Sequence, residues 1–392
     1  MPYYLYTTYA SLYMLARGCT TEQVGLIATA GQVVQMVLSL ASGAITDRLG
    51  RKRTTLIFDL VCWSIPTLLW AFARDVRVFL AATVINSIVR IVATSWSCLL
   101  IEDTPAGQRV HAFTWISVAG ILAGFISPLA GLFVRRFGLV PAMQGIYLFS
   151  FVSMTAMFLV RNALVRETAA GRAKMAESRR LRAGTALGEY LRIAAHLWRS
   201  PLVLAAFAIS ILANIGFFLK ATFLPILLTQ GLGFPDARIA IFPAVASAVM
   251  LAVSIFAMPT IARAGTALPL AAGAACAAAG SALLAASPVR GTTVVVAATV
   301  LGGIGSALTL PLSDTLIANT VAEADRAKAM SVYYVLLLGL TSPFGWIGGI
   351  LSSVSPRLPF AVMAAALAAA AGIALLVAPM ERKKIGPRPA DT

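Results

Sequence analysis

The chain has 392 residues, of which 59% are hydrophobic and 12% are charged, and its mean hydropathy is +0.86. Soluble domains average about 25% charged residues, so this composition excludes an ordinary soluble protein. The net charge of +16 would suit a nucleic-acid partner. The basic residues instead lie at the ends of apolar runs, without interleaved aromatic residues, and no nucleic acid is expected. The four cysteines are scattered, so neither a metal site, a disulfide framework nor a cofactor is expected.

Long apolar runs dominate the chain, and they predict an all-α membrane protein with twelve transmembrane helices. A span needs about 20 mostly apolar residues, and such runs follow one another with short polar gaps. The predicted spans are residues 2–16, 23–46, 54–73, 78–101, 112–134, 139–160, 202–229, 238–262, 267–287, 292–317, 328–353 and 358–379.

The first span is short, because Met1 to Ala16 gives only about 24 Å of helix at ~1.5 Å per residue, against a hydrocarbon core of ~30 Å. Either this helix tilts in a thinned bilayer or the true start lies upstream of Met1. We expect the upstream start, with further hydrophobic codons before Met1.

An unusual loop lies between the second and third spans, where residues 43–53 read Gly-Ala-Ile-Thr-Asp-Arg-Leu-Gly-Arg-Lys-Arg. Gly43 is expected to let two helices approach closely, and Asp47 places an acid at a helix end. Gly50 is expected to form a tight turn, which Arg51 and the basic residues beside it hold in the cytoplasm.

This pattern resembles the loop signature of the major facilitator superfamily, whose members are secondary transporters with two six-helix halves. The resemblance implies twelve helices in two six-helix pseudo-repeats. It also implies alternating access, in which the halves rock about a site near the membrane midplane. Asp47 is expected to face the start of span eleven, residues 327–331, whose free backbone amides carry partial positive charge.

A polar stretch, residues 161–200, holds nine Lys or Arg residues against three acids and divides the twelve spans six and six. We therefore predict an N-terminal half over 1–160, a cytoplasmic central loop over 161–200, a C-terminal half over 201–380 and a cytoplasmic tail over 381–392. Lys and Arg concentrate on the side of the membrane where the central loop lies, which predicts that both termini face the cytoplasm. We expect a monomer in a bacterial-type cytoplasmic membrane.

The two halves show a faint repeat around a proline in spans five and eleven. Span five holds Ser127-Pro128 and span eleven holds Ser342-Pro343. The glycines and proline of span five resemble the glycine-proline motif of the family's drug-type exporters, which favours export. The residues expected to control conformational change are Gly43, Asp47, Arg48, Gly50, Arg51, Asp59, Pro128 and Pro343.

Arg90 lies near the middle of the fourth span, where a charged side chain costs at least ~2.5 kcal/mol unless it faces protein or a water-filled cavity. One interpretation is a cavity arginine that engages an anionic or polar group of the solute, with Asn86 one turn earlier. The other is a fixed ion pair with Asp59 of span three. The two remain open.

Lys220 in span seven and several aromatic and amide side chains are further candidates. Lys220 is expected either to extend toward the outer interface or to complement Arg90 with a second cation. The aromatic and amide residues could line an amphipathic pocket or pack between helices. The candidate solute-binding residues are Arg90, Asn86, Tyr6, Tyr9, Gln32, Gln35, Trp115, Asn214, Lys220 and Tyr333.

These observations favour a secondary transporter that exports amphipathic or anionic compounds, coupled to protons or another ion gradient. Uptake of a sugar or metabolite is the alternative within this class. A membrane-embedded enzyme or lipid-handling protein is the alternative of another class, and it would need a cluster of acids, histidines or a nucleophile. No P-loop pattern is present for ATP coupling, and an enzyme is not expected.

Overall fold

A computed structural model describes residues 2–178, 200–261, 265–320 and 326–385. Within these ranges all regular structure is helical, and eleven helical segments are long and apolar enough to cross a membrane. The twelfth, the predicted first span, consists of two short helices. The prediction of an all-α membrane protein is therefore confirmed. The twelve predicted spans correspond to eleven long helical segments and one pair of short helices.

The chain divides into two compact units. The first unit comprises Met1–Ala186, Pro235–Ile241 and Ser342–Ser353, and the second comprises Leu187–Phe234, Phe242–Thr341 and Val354–Thr392. Two short pieces of the later chain thus belong to the first unit. The chain-order division into 1–160, 161–200, 201–380 and 381–392 stays a prediction.

The chain up to residue 178 forms eleven α-helices, and one π-helical segment, Leu60–Ser64, interrupts the third span. The α-helices are α1 (Tyr3–Thr7), α2 (Ala10–Ala16), α3 (Thr21–Leu49), α4 (Arg51–Asp59), α5 (Ile65–Phe72), α6 (Val76–Asn86), α7 (Val89–Ile101), α8 (Ala106–Gly124), α9 (Ser127–Phe137), α10 (Leu139–Leu164) and α11 (Ala169–Ser178).

From residue 200 onward, the described residues form nine α-helices and two π-helical segments, Leu227–Gly231 and Val253–Ala257. The α-helices are α12 (Pro201–Ile226), α13 (Asp236–Ile239), α14 (Ile241–Ala252), α15 (Met258–Ile261), α16 (Ala267–Ala286), α17 (Thr292–Thr320), α18 (Arg326–Thr341), α19 (Pro343–Val354) and α20 (Leu358–Ile385).

Local sequence signals explain where several helices begin and end. Thr20 and Gln23 form a reciprocal capping box that starts α3. Gly50 and Gly138, at φ values of 85° and 80°, make the turns after α3 and α9, since positive φ favours glycine. The turn expected at Gly50 is therefore confirmed.

The prolines predicted to control conformational change stand at helix breaks. Pro128 is the second residue of α9, which follows α8 after a two-residue break. Pro343 begins α19, which follows α18 after a one-residue break at Ser342. A proline removes one backbone hydrogen bond from a helix, so both spans are weakened at matching places. The predicted repeat of Ser-Pro in spans five and eleven thus coincides with matching breaks.

Within the first unit, α3 packs closely against α19 through glycines. A Cβ atom built on Gly25 would lie 2.9 Å from the Cα of Gly349 and closer still to the carbonyl of Gly345. Gly43 on the same helix is exposed, and a Cβ there would meet nothing within 4 Å. The close helix approach expected at Gly43 is therefore wrong for this structure, and it occurs at Gly25 instead.

A hydroxyl group completes this α3–α19 contact. Thr29 Oγ1 donates to the carbonyl of Ser342 at 2.7 Å and accepts from the backbone N–H of Trp346 at 2.8 Å. In an uninterrupted helix Trp346 would donate to Ser342 directly. The threonine thus bridges the broken ladder of α19 and ties it to α3.

The second unit relies on small residues where α16 packs against α17. A Cβ on Gly280 would lie 2.8 Å from the carbonyl of Ala298, and one on Gly305 would lie 2.6 Å from the Cβ of Ala277. Small residues let membrane helices approach closely, where van der Waals packing replaces the hydrophobic effect.

We predict that Gly25→Ala lowers the melting temperature of the purified protein, because its methyl group would meet backbone atoms that cannot rotate away. Overpacking of this kind costs about 1–3 kcal/mol. Gly43→Ala, in the same helix, is the matched control and should be neutral or stabilising, since alanine favours helix by up to ~1 kcal/mol. Equal melting temperatures for the two variants would contradict the close contact at Gly25.

Candidate functional site

The loop of residues 47–53 holds a buried arginine between two acids. Arg51 is 4% exposed, and its guanidinium lies 2.8 Å from the carboxylate of Asp47 and 3.1 Å from that of Glu102 at the end of α7. A buried guanidinium needs such partners because desolvation of an unpaired charge is expensive. The loop signature therefore joins the end of α3, the start of α4 and the end of α7. We call this group of helix ends the motif end.

Glu167, in the segment after α10, caps the start of α4. Its carboxylate accepts hydrogen bonds from the backbone N–H groups of Arg51 at 3.0 Å and Lys52 at 2.9 Å. A Cβ on Gly50 would lie 2.7 Å from this carboxylate, so a glycine is needed for its approach. An acid at a helix N-terminus satisfies free amides and the helix dipole.

The segment that carries Glu167 is held by further contacts. The hydroxyl of Thr168 donates to Glu102 and accepts from the N–H of Gly171 at 2.8 Å. Arg172 donates to the carbonyl of Glu167 at 2.7 Å. Sequence reasoning missed Glu167 and Thr168, because nothing in a single polar loop indicates which helix end it caps.

The predicted gating contact of Asp47 with the backbone amides of residues 327–331 stays a prediction. Arg48 is exposed at the end of α3. Asp47 and Arg51 are thus the members of the predicted set that the structure brings together, with Glu102 added.

Asp59 pairs with Arg161 and not with Arg90, which corrects the ion pair considered from the sequence. The carboxylate of Asp59, whose side chain is 2% exposed, bonds to the guanidinium of Arg161 on α10. That guanidinium also lies 4.9 Å from the ring centroid of Trp96 and 5.4 Å from that of Phe158. Cation–π contacts of this kind add to the stability of the pair. In the sequence, Arg161 is simply the first basic residue of the polar stretch 161–200.

Arg90 lies at the middle of the span Val76–Ile101 and follows the break between α6 and α7. It is partly accessible. Interrupted helices at the membrane midplane are where transporters of inverted-repeat type place their solute sites.

Two contacts fix the level of this break against α3. Ser87 Oγ donates to the carbonyl of Gly31 at 3.0 Å, and Thr94 Oγ1 donates to Ser42 Oγ at 3.1 Å. The arginine falls between these contacts, level with the middle of α3. Gln35, the midpoint of α3 and partly accessible, therefore lies at the same depth.

Asn86 has a structural contact. Its amide donates to the carbonyl of Cys62 at 2.7 Å. In an α-helix that carbonyl would accept from residue 66, but Pro66 has no N–H to donate. Asn86 thus satisfies a carbonyl that the proline and the π-helical segment leave open, which takes its amide away from a solute.

Tyr6 and Tyr9 are buried in helix packing, 3% and 0% exposed. The ring of Tyr6 packs against Trp70 and Tyr147, with centroids 6.0 and 5.1 Å away. The hydroxyl of Tyr9 donates to the carbonyl of Asp236 at 2.9 Å. Packing, the second of the two interpretations of these tyrosines, is what the structure shows.

Trp115 and Gln32 remain accessible. The indole of Trp115 on α8 is 73% exposed, and Gln32 on α3 is partly accessible one turn before Gln35. These exposures leave both side chains accessible to a solute or to lipid.

In the second unit, Asn214 and Tyr333 bond to the same serine. Tyr333, 2% exposed, shares a hydroxyl hydrogen bond with Ser210, and Asn214 donates to the carbonyl of Ser210 at 2.9 Å. The hydroxyl of Tyr333 therefore joins α18 to α12, and the amide of Asn214 bonds within α12.

Lys220 is partly accessible, and its side chain lines a small cavity inside the second unit together with residues of α12, α16, α17 and α20. It occupies the space that glycine leaves, since a Cβ on Gly302 would lie 3.0 Å from Nζ.

Comparison with known proteins agrees with this architecture. The family model described as Major Facilitator Superfamily matches residues 1–297. A D-xylose-proton symporter has a TM-score of 0.76 and 14% identity, covering 95% of this chain and 92% of that chain. The nucleoside transporter NupG has a TM-score of 0.67 and 14% identity, covering 99% and 96%. A POT family transporter in complex with 5-aminolevulinic acid has a TM-score of 0.73 and 14% identity, covering 97% and 93%.

No curated protein matches the sequence. At such identities the structural likenesses show the fold alone. The fold is that of a multi-pass helical membrane protein. Because the family model matches more than half of the chain, the chain belongs to the major facilitator superfamily, and the resemblance seen in residues 43–53 is confirmed.

We predict that Arg161→Ala strongly lowers the melting temperature, because it leaves the carboxylate of Asp59 buried without a partner. Removal of one member of a buried pair costs about 3–5 kcal/mol. The double variant Asp59→Asn, Arg161→Gln should recover most of this loss, since neither charge remains. Arg166→Ala, at an exposed arginine nearby, is the control. No loss in Arg161→Ala would contradict the buried pair.

Proposed function

We propose that the protein exports amphipathic or anionic solutes across a cytoplasmic membrane by alternating access, driven by an ion gradient. Membership of the superfamily supplies the transporter class. The solute, the direction, the membrane and the monomeric state are our proposals, as is the placing of both termini in the cytoplasm.

The observation that carries the proposal is the position of Arg90. It lies at mid-depth, at a helix break, and it is partly accessible. A guanidinium at this depth is retained only where protein, water or a solute compensates its desolvation. It binds carboxylate or phosphate oxygens through two parallel hydrogen bonds, so an anionic group is the matching ligand.

The remaining accessible candidates fit an amphipathic solute. Gln35 lies at the level of Arg90, and Gln32 follows the same helix one turn away. Trp115 offers an apolar ring with one N–H donor. A cation, two amides and an indole would bind a compound with an anionic head and an apolar body. We therefore keep these four residues. We remove Asn86, Tyr9, Asn214 and Tyr333, whose polar groups bond within the protein. We also remove Tyr6, whose ring is buried in aromatic packing.

Export is favoured by the glycines and proline of span five. Uptake by ion symport is the second candidate, and the fold shared with a D-xylose-proton symporter supports it. Oriented vesicles separate the two, because an exporter accumulates solute in inverted vesicles and an uptake symporter in right-side-out vesicles. Recovery of chemically altered solute would contradict transport and favour an enzyme.

We predict that Arg90→Gln inserts normally but transports anionic solutes at least about tenfold more slowly, since a hydrogen bond to a charged group is worth about 1.5–3 kcal/mol. Neutral solutes should be affected less. Accumulation of radiolabelled anionic and neutral compounds in proteoliposomes measures this. Arg136→Gln, at an exposed arginine, is the control. Unchanged transport of every anionic compound would remove Arg90 from the solute site.

We predict that Asp47→Asn slows transport while leaving membrane insertion intact. The substitution removes the ion pair with Arg51 at 2.8 Å but leaves that of Glu102, so the motif end loosens without losing its fold. Asp103→Asn, which neutralises an exposed acid next to Glu102, is the matched control. A wild-type transport rate for Asp47→Asn would contradict a gating role.

A further inference from the structure

Lys220 lies in surroundings that give its ammonium no counter-charge. The cavity around it measures about 10 Å³, at the lower limit of what one water molecule needs, ~10–15 Å³. None of the other residues that line it carries a titratable group. Within the described part of the chain, no side chain forms a salt bridge with Lys220. Charge without a partner in such a site is expensive.

The titratable groups on the enclosing helices lie elsewhere. Cys276 on α16 and Asp314 on α17 do not line the cavity. Asp314 is twelve residues beyond Gly302, about 18 Å along the helix at ~1.5 Å per residue. The charged residues of α20 are confined to positions 381–384, at its far end.

The cavity also offers oxygen acceptors for a charged amine. Ser281 Oγ donates to the carbonyl of Ala277 at 2.6 Å, and Ser306 Oγ donates to that of Gly302 at 2.7 Å. Both hydroxyl protons are therefore used, and the oxygen lone pairs remain available as acceptors in the cavity. Such a site can hold the amine in either protonation state.

We propose that Lys220 is a proton-binding site of the second unit, neutral in the conformation described here, and that the proton is the ion this transporter couples. The coupling rests on the proposed transport function, whereas the protonation of Lys220 does not. Proton binding converts the amine to an ammonium, R–NH₂ + H⁺ giving R–NH₃⁺, and needs no further reactant. A cavity with room for about one water accommodates a proton but no larger ion.

Thermal melting of the full-length protein as a function of pH tests the site without a solute. The unfolded chain binds a proton at this amine up to about pH 10, whereas the folded protein does not, so the stability contributed by Lys220 rises with pH. Between about pH 6 and pH 9 the melting temperature of the wild type should therefore rise relative to that of Lys220→Met. The ratio between the folding equilibrium constants of Lys220→Met and the wild type should fall by up to tenfold for each pH unit.

Lys174→Met, at an exposed lysine paired with Glu177, is the matched control and should parallel the wild type over this range. Lys220→Gln is a second neutral variant. Parallel curves for the wild type and Lys220→Met would overturn the proposal. Failure of both neutral variants to fold would also overturn it, because a site that holds a neutral amine should accept a neutral side chain.

Proteoliposomes then separate the site from the function. An imposed proton gradient should drive accumulation of the radiolabelled solute found in the vesicle assay by wild type and not by Lys220→Met. If no solute accumulates while the melting curves converge as expected, only the proposed transport function fails. If solute accumulates and the melting curves run parallel, only the assignment of Lys220 fails.

Discussion

The structure depends on one constraint: a lipid-embedded helix must satisfy every backbone polar group inside the protein. This chain interrupts its spans repeatedly, and side chains of neighbouring helices supply the missing partners. Asn86 serves the carbonyl that Pro66 leaves open, and Thr29 bridges the broken ladder of α19. Breaks that could allow movement are thus also the points where helices are joined.

Buried charged side chains are likewise satisfied inside the protein, both at the motif end and in the third span. Arg51 lies between two carboxylates, and Asp59 lies against Arg161. Arg51 and Asp59 are each buried against a partly accessible counter-charge, so these pairs stabilise one arrangement of the helix ends. Lys220 is different, since it lies in an apolar cavity with hydroxyl acceptors only. This contrast is the basis of the proposal that the charge of Lys220 changes.

Close packing without a hydrophobic driving force explains the role of the glycines. Gly25 and Gly280 bring backbones within contact distance, whereas Gly43, which belongs to the loop signature, has open space around it. A motif glycine and a packing glycine look alike in a sequence. Only the neighbouring helix distinguishes them.

The sequence by itself determined the class, the twelve spans, the turn at Gly50 and the family, because these follow from hydrophobic length, charge at helix ends and backbone conformation. Those properties are local along the chain. It also placed Arg90 at mid-depth, since depth is a count of residues from the span ends.

The tertiary structure decided which side chains meet. A pair between Asp59 and Arg90 is one of the two interpretations that the sequence leaves open, but α10 brings Arg161 to Asp59 instead. Tyr6, Tyr9 and Asn86 were candidates for a solute, and neighbouring helices take up their polar or aromatic groups. Glu167 was unremarkable in sequence until its segment reached the start of α4. Such pairings depend on the rotation and register of helices far apart in the chain, and a periodic apolar pattern leaves both undetermined.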